Sequence, residues 1–202
     1  MKYLAIDTSG KNLTVVVENC GKVYKYYDDN CGLKHSVTLM PVVEKLLNQS
    51  GLNLKDADFI AVVVGAGSFT GIRIGVSTVK ALCFAFKKPC LSITSFDVLA
   101  YNKSEGRVLA AIDAGHGGYY VCPYDDSVPE KEPSYIIRDE LIALAANYMV
   151  VAAEELGVVP CYVADMTEGL ISAVRAKCGE ASSDPDSAVP LYVRKSQAEE
   201  GR

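Results

Sequence analysis

Residues 62–86, VVVGAGSFTGIRIGVSTVKALCFAF, join an apolar strand to a helix through a turn of Gly65, Gly67, Ser68, Phe69, Thr70 and Gly71. A turn of this kind can hold a phosphate, because backbone N–H groups and the helix dipole attract anions to a helix N-terminus. A phosphate loop also needs a lysine and then Ser or Thr after its last glycine, to reach the terminal phosphates and magnesium. Ile72 and Arg73 stand there instead. The dinucleotide fingerprint fails as well, since Thr70 occupies its third glycine position. The plainer reading is that the glycines permit a tight turn and close packing. Spacing alone leaves both readings open.

Asp7, Thr8 and Ser9 end the apolar run KYLAID. An aspartate at a strand end followed by hydroxyls resembles the Asp-x-Gly-Thr turn with which actin-like kinases and ATPases touch phosphate or magnesium. No glycine separates Asp7 from its hydroxyls, so a turn held by its own Asp and Ser side chains is the alternative. Metal chemistry is not indicated. The two histidines, His35 and His116, form no HxxxH or HExxH pair, and the seven cysteines never form CxxC. The run GAGSFTG is not a G-x-S-x-G elbow, which leaves a nucleophilic serine unsupported.

The chain has 202 residues, half of them hydrophobic and 22% charged, which describes a globular protein with a sizeable core. Its net charge of −5 contains no Lys/Arg run. A protein that grips nucleic acid alone carries a basic stripe, so any RNA contact is expected to come largely from another subunit. The first residues lack the length of a signal peptide, and no apolar run is read as a membrane span. With scattered, unpaired cysteines, the expectation is a reduced, cytoplasmic protein without membrane contact.

Stepping along the chain, KYLAID, LTVVVENC and KVYKYYD are strands joined by short turns, an antiparallel meander. The segment HSVTLMPVVEKLLNQSG is helical, starting around Ser36 to Leu39 because Pro41 is tolerated only near a first turn, and stopping at Gly51. DFIAVVVG is a buried strand, a helix follows from about Thr70 to Phe86, then a strand at PCLSI and a short helix at SFDVLAYN. This first part reads β-β-β-α-β-α over residues 1–103. The second part, residues 104–202, opens with RVLAAIDA and GYYVCPY. It continues through helices at RDELIALAAN and TEGLISAVRAKC, with YMVVAAEEL helical or extended, SSDPDS a loop and VPLYVRKSQAEE a docked extended tail. AID recurs at Asp7 and Asp113, each time before a small-residue turn, which suggests an internal duplication.

The helix after the glycine turn is apolar beyond one stripe. Ile72, Val76, Val79, Leu82, Cys83 and Phe86 share a face, while Ile74, Ala81, Phe84 and Ala85 add apolar surface on other sides. Gly75, Ser77, Thr78, Ala81 and Ala85 are small enough to let another helix approach. Such a helix is either buried on two sides within the chain or covered by a partner.

GAGSFTGIRIG resembles the signature G-P-G-S-F-T-G-[LI]-R-[IV]-G of the bacterial TsaB (YeaZ) family. AIDTS, HS with LMP at 35–41, TSFDVLA at 94–100, DAGHGGYYV at 113–121 and PLYVRKSQAEE at 190–200 are similar to family segments in the same order. The resemblance implies an α/β, actin-like (ASKHA, ribonuclease H-like) fold of two related lobes, the second reduced. It implies a non-catalytic subunit that supports its paralogue TsaD in making N6-threonylcarbamoyladenosine (t6A) at adenosine 37 of tRNA. The implied partners are TsaD and the ATPase TsaE, with tRNA met only through the complex, and the implied dimers are TsaB with TsaD or with itself. No cofactor is implied. On this reading Asp7, Thr8 and Ser9 are a vestige of a nucleotide site, and the docking residues are Arg73, Ile74, Ser77, Thr78, Ala81, Phe84 and Ala85. Ala66 stands where the signature has proline and is expected to loosen the turn without changing its path. Gly115 stands where the family's Asp-Ala-Arg segment has arginine, and Gly118 where the family often has glutamate, which puts a binding role for the turn at Asp113, Ala114 and Gly115 in doubt. The alternative function is a free-standing actin-like ATP-using enzyme or a glycoprotease-like peptidase.

Overall fold

A computed structural model describes residues 1–103 and 105–194. Strands β1 (Lys2–Asp7), β2 (Leu13–Asn19) and β3 (Lys22–Asp28) form the expected meander, with Asp7 opposite Thr14 and Leu13 opposite Asp28. Helix α1 (His35–Ser50) leads to β4 (Phe59–Val63), which lies parallel to β1, and α2 (Phe69–Phe86) leads to β5 (Cys90–Ile93), parallel to β4. The sheet order is β3-β2-β1-β4-β5. Two parallel neighbours need crossovers, and the two helices supply them. β1 and β4 read as unbroken apolar runs because both sheet faces are buried. Leu4, Ile6, Val15, Val17, Ile60 and Val62 meet Leu39, Val43 and Leu46 of α1 and Ile72, Val76 and Val79 of α2. From the opposite face, Tyr3 stacks on its cross-strand neighbour Phe59, with centroids 5.4 Å apart.

Helix α1 begins earlier than expected, at His35, and Pro41 lies inside it. A 3-10 turn over Gly32–Lys34 runs straight into the helix, and the ring Nε2 of His35 meets the Asn12 carbonyl at 3.0 Å, fixing the first residue. Pro41 removes one N–H from the helical ladder at a position exposed to water. At the far end Gly51, with φ 64°, provides the left-handed stop.

The second part opens with the short helix α3 (Ser95–Ala100) and the hairpin of β6 (Arg107–Gly115) and β7 (Gly118–Asp125). It continues through β8 (Val128–Pro129), β9 (Ser134–Ile137), α4 (Arg138–Ala145), β10 (Met149–Ala152), β11 (Tyr162–Val163) and α5 (Met166–Lys177). YMVVAAEEL therefore contains a strand, and SSDPDS contains a 3-10 turn at Pro185–Ser187. β7 pairs antiparallel with β6 and β9 antiparallel with β7, while β10 pairs parallel with β6 and β11 parallel with β10. The order β9-β7-β6-β10-β11 thus repeats β3-β2-β1-β4-β5, with the same directions. This is the duplication suggested by the two AID strands. The repeat is reduced: residues 153–161, between β10 and β11, form no helix where the first sheet has α2.

The two compact units do not follow a single cut after residue 103. Among the described residues, one comprises 1–94 and 173–191, the other 95–172 and 192–194. Helix α3 packs on β6, β7 and β10, so it belongs with the second sheet. Residues after α5 return to the first: Ser182 and Cys90 exchange main-chain hydrogen bonds, and the Leu191 N–H donates to the Val64 carbonyl at 2.7 Å. Ala188, just before the expected tail, is buried, and Leu191 is the tail residue that meets this sheet, while residues 195–202 of the tail lie outside the described residues.

Candidate functional site

The glycine turn is pressed against the end of β1. The Ser68 N–H donates to the Ser9 carbonyl at 2.7 Å, and Thr8 Oγ1 donates to the Gly71 carbonyl at 2.7 Å. A Cβ on Gly67 would collide with the Ser9 carbonyl oxygen, and one on Gly71 with the Thr8 carbonyl oxygen. One turn on, a Cβ at Gly75 would come within 2.5 Å of Thr8 Oγ1. The glycines are there to bring two backbones together. Ser68 caps α2, its Oγ accepting from the Gly71 N–H at 3.2 Å. The Ile72 N–H is bonded to the Ser68 carbonyl, so the N–H groups of Ser68, Gly71 and Ile72 all have acceptors within the chain. Phe69 and Thr70 open the helix, with the Arg73 guanidinium 5.9 Å above the Phe69 ring. The residue at the proline position of the signature, Ala66, is buried, and the peptide bond before it is cis.

Asp7 is fully buried. Its Oδ1 accepts from the Ser9 N–H at 2.8 Å and the Ser9 hydroxyl at 2.7 Å, the self-contained Asp-Ser turn. Its Oδ2 has no hydrogen-bond partner within the chain. Burial raises the carboxyl above its ordinary range, against the Ser9 hydrogen bonds and the nearby His35. Asp113, its counterpart in the repeat, is exposed and accepts from the Gly115 N–H at 2.7 Å in an open turn where His116 has φ 55°. Asp7, Thr8 and Ser9 therefore meet the glycine turn, whereas Asp113, Ala114 and Gly115 cap a separate hairpin. Among the described residues, no three His, Cys, Asp or Glu side chains gather as a metal-binding group.

Helix α2 buries one face. Gly71, Ile72, Gly75, Val76, Val79 and Cys83 turn inward, while Leu82 and Phe86 are half-buried. On the other side Arg73, Ser77, Ala81, Phe84 and Ala85 are exposed and Ile74 and Thr78 half-buried. Phe84 is 82% exposed. Intrachain burial on two sides is thus not what the helix does. Its 18 residues are long and apolar enough to cross a membrane by length and composition, but its inner stripe is part of the sheet's core. Beside the open face, a groove of about 540 Å³ runs between α1 and α2, lined by Met40, Val43, Leu47, Leu54, Leu82 and Phe86 among others. Val37 (69% exposed) and Met40 extend the apolar surface along α1. The α1 contribution was not anticipated from the sequence, though two exposed apolar residues three apart on a helix were its available signal.

A repeated five-stranded sheet, built as β-β-β-α-β-α-β in the first copy and lacking the second crossover helix in the other, defines an actin-like α/β protein with a reduced second copy. The family model "TsaD: tRNA N6-adenosine threonylcarbamoyltransferase" matches residues 30–160. The chain belongs to that family, in its TsaB (YeaZ) branch. It is 34% identical over 128 residues to the tRNA threonylcarbamoyladenosine biosynthesis protein TsaB of Escherichia coli, covering 61% of this chain and 55% of that protein. It is 35% identical over 126 residues to the protein of that name from Bacillus subtilis, again 61% of this chain and 55% of that one. The chain spans about half the length of these curated relatives. A solved structure of YeaZ from Pseudomonas aeruginosa superposes with a TM-score of 0.78 at 25% identity, covering 95% of this chain and 99% of that one.

Proposed function

We propose that this chain is a non-catalytic subunit of a tRNA-modifying complex, supporting a TsaD-like catalytic paralogue in t6A formation at adenosine 37. The observation that carries this reading is the open apolar face of α2, with Phe84 at 82% exposure among Ser77, Ala81 and Ala85. An aromatic among small residues, next to an apolar groove, is the kind of surface that a helical partner covers. The glycine turn supports the same reading: its close approach to Thr8 and Ser9 accounts for the glycines through packing alone. Asp7, Thr8 and Ser9 are then the vestige of a nucleotide site. The net charge of −5 fits a subunit that meets tRNA through its partner. A TsaE-like ATPase is the further partner, a second copy of this chain occupies the same face when the paralogue is missing, and the cytoplasm is the compartment.

The reading is tested by reconstituting t6A formation on an unmodified tRNA with the paralogue, the ATPase and threonylcarbamoyl-AMP. Omitting this chain is expected to abolish product, and restoring it to recover product. Product formed at an equal rate without it would contradict the role, and ATP turnover by the isolated chain that vanishes in Asp7→Ala would favour a free-standing enzyme.

A further inference from the structure

We propose that Met40 is an oxidation switch on the docking face: conversion of its thioether to the sulfoxide releases the partner and leaves the chain folded. The inference rests on the docking reading above, with the TsaD-like paralogue as the occupant. Met40 lies on α1, 46% exposed, and lines the apolar groove with Val43, Leu47, Leu54, Leu82 and Phe86. The groove is continuous with the open face of α2. Leu82 and Ala85 are three apart and Ala81 and Ala85 four apart, and residues at those spacings are surface neighbours on a helix. Along α1 the same surface continues through Val37, three residues before Met40. A partner helix laid over Ala81 and Ala85 therefore closes over Leu82, Phe86 and the Met40 side chain. The other methionines stand elsewhere: Met1 and Met149 are exposed outside α1 and α2, and Met166 is 7% exposed, within the core.

With hydrogen peroxide as oxidant, a lone pair on the Met40 sulfur attacks one peroxide oxygen. The S–O bond forms, the O–O bond breaks, and the departing hydroxide takes the proton of the transferred oxygen and leaves as water. The sulfur loses two electrons and the peroxide gains both. A thioether needs no deprotonation, and the exposure of Met40 gives peroxide access in the free chain. The product carries a polar oxygen where the groove is apolar. In the free chain water hydrates that oxygen, so the fold is untouched. Under a docked helix water is excluded, and the oxygen needs a donor from the groove. Val43 and Leu47 offer none, Glu44 one turn on ends in a carboxylate that is itself an acceptor, and the Asn48 amide stands about 12 Å further along α1. An acceptor buried without a donor loses its hydration with nothing in return. The cost therefore falls on the complex alone.

The test oxidises the full folded chain with hydrogen peroxide, removes the oxidant and treats the product with dithiothreitol, which reverses thiol oxidation and leaves sulfoxides in place. Peptide mass spectrometry then measures the sulfoxide at Met40, calorimetric titration the affinity for the purified TsaD-like paralogue, and circular dichroism the thermal midpoint. With Met40 oxidised, affinity should fall at least about tenfold, the scale of disabling one well-packed interface residue, while the midpoint stays unchanged. Methionine sulfoxide reductases A and B should restore the affinity. Met40→Leu keeps an apolar side chain of similar size and should bind alike before and after peroxide, although Met1 and Met149 still gain oxygen. Undiminished affinity at full Met40 oxidation would overturn the switch alone, as would an equal loss in Met40→Leu after peroxide. Failure of the untreated chain to bind the paralogue would overturn the docking reading and the switch with it.

Discussion

Gly67 and Ser9 lie backbone against backbone: the space a Cβ on Gly67 would need is filled by the Ser9 carbonyl oxygen, which accepts the next N–H, that of Ser68, at 2.7 Å. Gly71 repeats the arrangement against Thr8. The family signature is in this respect a packing device that seats α2 on the end of β1. Gly67→Ala and Gly71→Ala should each destabilise the chain by about 2 kcal/mol, the order of cost for forcing a methyl group into a filled core. Urea denaturation followed by circular dichroism measures it, and midpoints unchanged from the unaltered chain would contradict it.

Asp7 makes stability depend on pH in an unusual direction. Burial raises its carboxyl above the ordinary 3.8, so the folded chain holds this proton to higher pH than the unfolded chain does. Since the folded state binds more protons, this group's contribution is fully present below pH 3.8 and is lost as pH rises through the folded value. Asp7→Asn keeps an acceptor for both Ser9 donors and removes the ionisation. The stability of the variant relative to the unaltered chain should therefore rise as pH increases above 3.8, until the folded carboxyl has ionised. A difference that stays constant across that range would show that Asp7 does not carry the dependence.

Glu18 is buried on β2, and one of its carboxylate oxygens accepts from Arg175 Nη2 at 2.9 Å and Nε at 3.1 Å. The arginine is 46% exposed, so water softens the loss of this ion pair, but the carboxylate cannot follow it into water. Arg175→Ala should cost about 2 kcal/mol, below the range for fully buried pairs. Glu18→Gln on that background should recover part of the loss, because it removes the stranded charge. A double-mutant cycle reads this coupling, and additive costs would contradict it.

Much of the first sheet was legible because its signals are local. β1, β2 and β3 are joined by short turns, and α2 runs 18 residues with Arg73 and Lys80 both outside its core stripe. β10 was ambiguous because four apolar residues carry no period, and β9 and β11 were missed because such short strands are defined by their neighbours rather than by their own residues. Pro41 misled the start of α1, since the anchor at His35 comes from Asn12 on a distant turn. At the site, residue spacing left α2 either buried on two sides or covered by a partner, and in the fold Arg73, Ser77, Ala81, Phe84 and Ala85 are exposed. What the glycines are for did not follow from spacing, because Thr8 and Gly71 meet across 63 positions of sequence. The groove escaped for the same reason: it exists only once Met40 and Leu47 of α1 stand beside Leu82 and Phe86 of α2.

The docking face is tested most directly by titrating the purified TsaD-like paralogue into this chain, unaltered and as Ala81→Glu, by isothermal calorimetry, with circular dichroism confirming that both are folded. Ala81 is exposed, so the glutamate is tolerated in the free chain. Placed between two apolar helices it buries an unpaired charge, and affinity should fall at least about 30-fold, the equivalent of roughly 2 kcal/mol at an interface centre. Binding of Ala81→Glu as tight as that of the unaltered chain would show that this face of α2 is not where the partner docks.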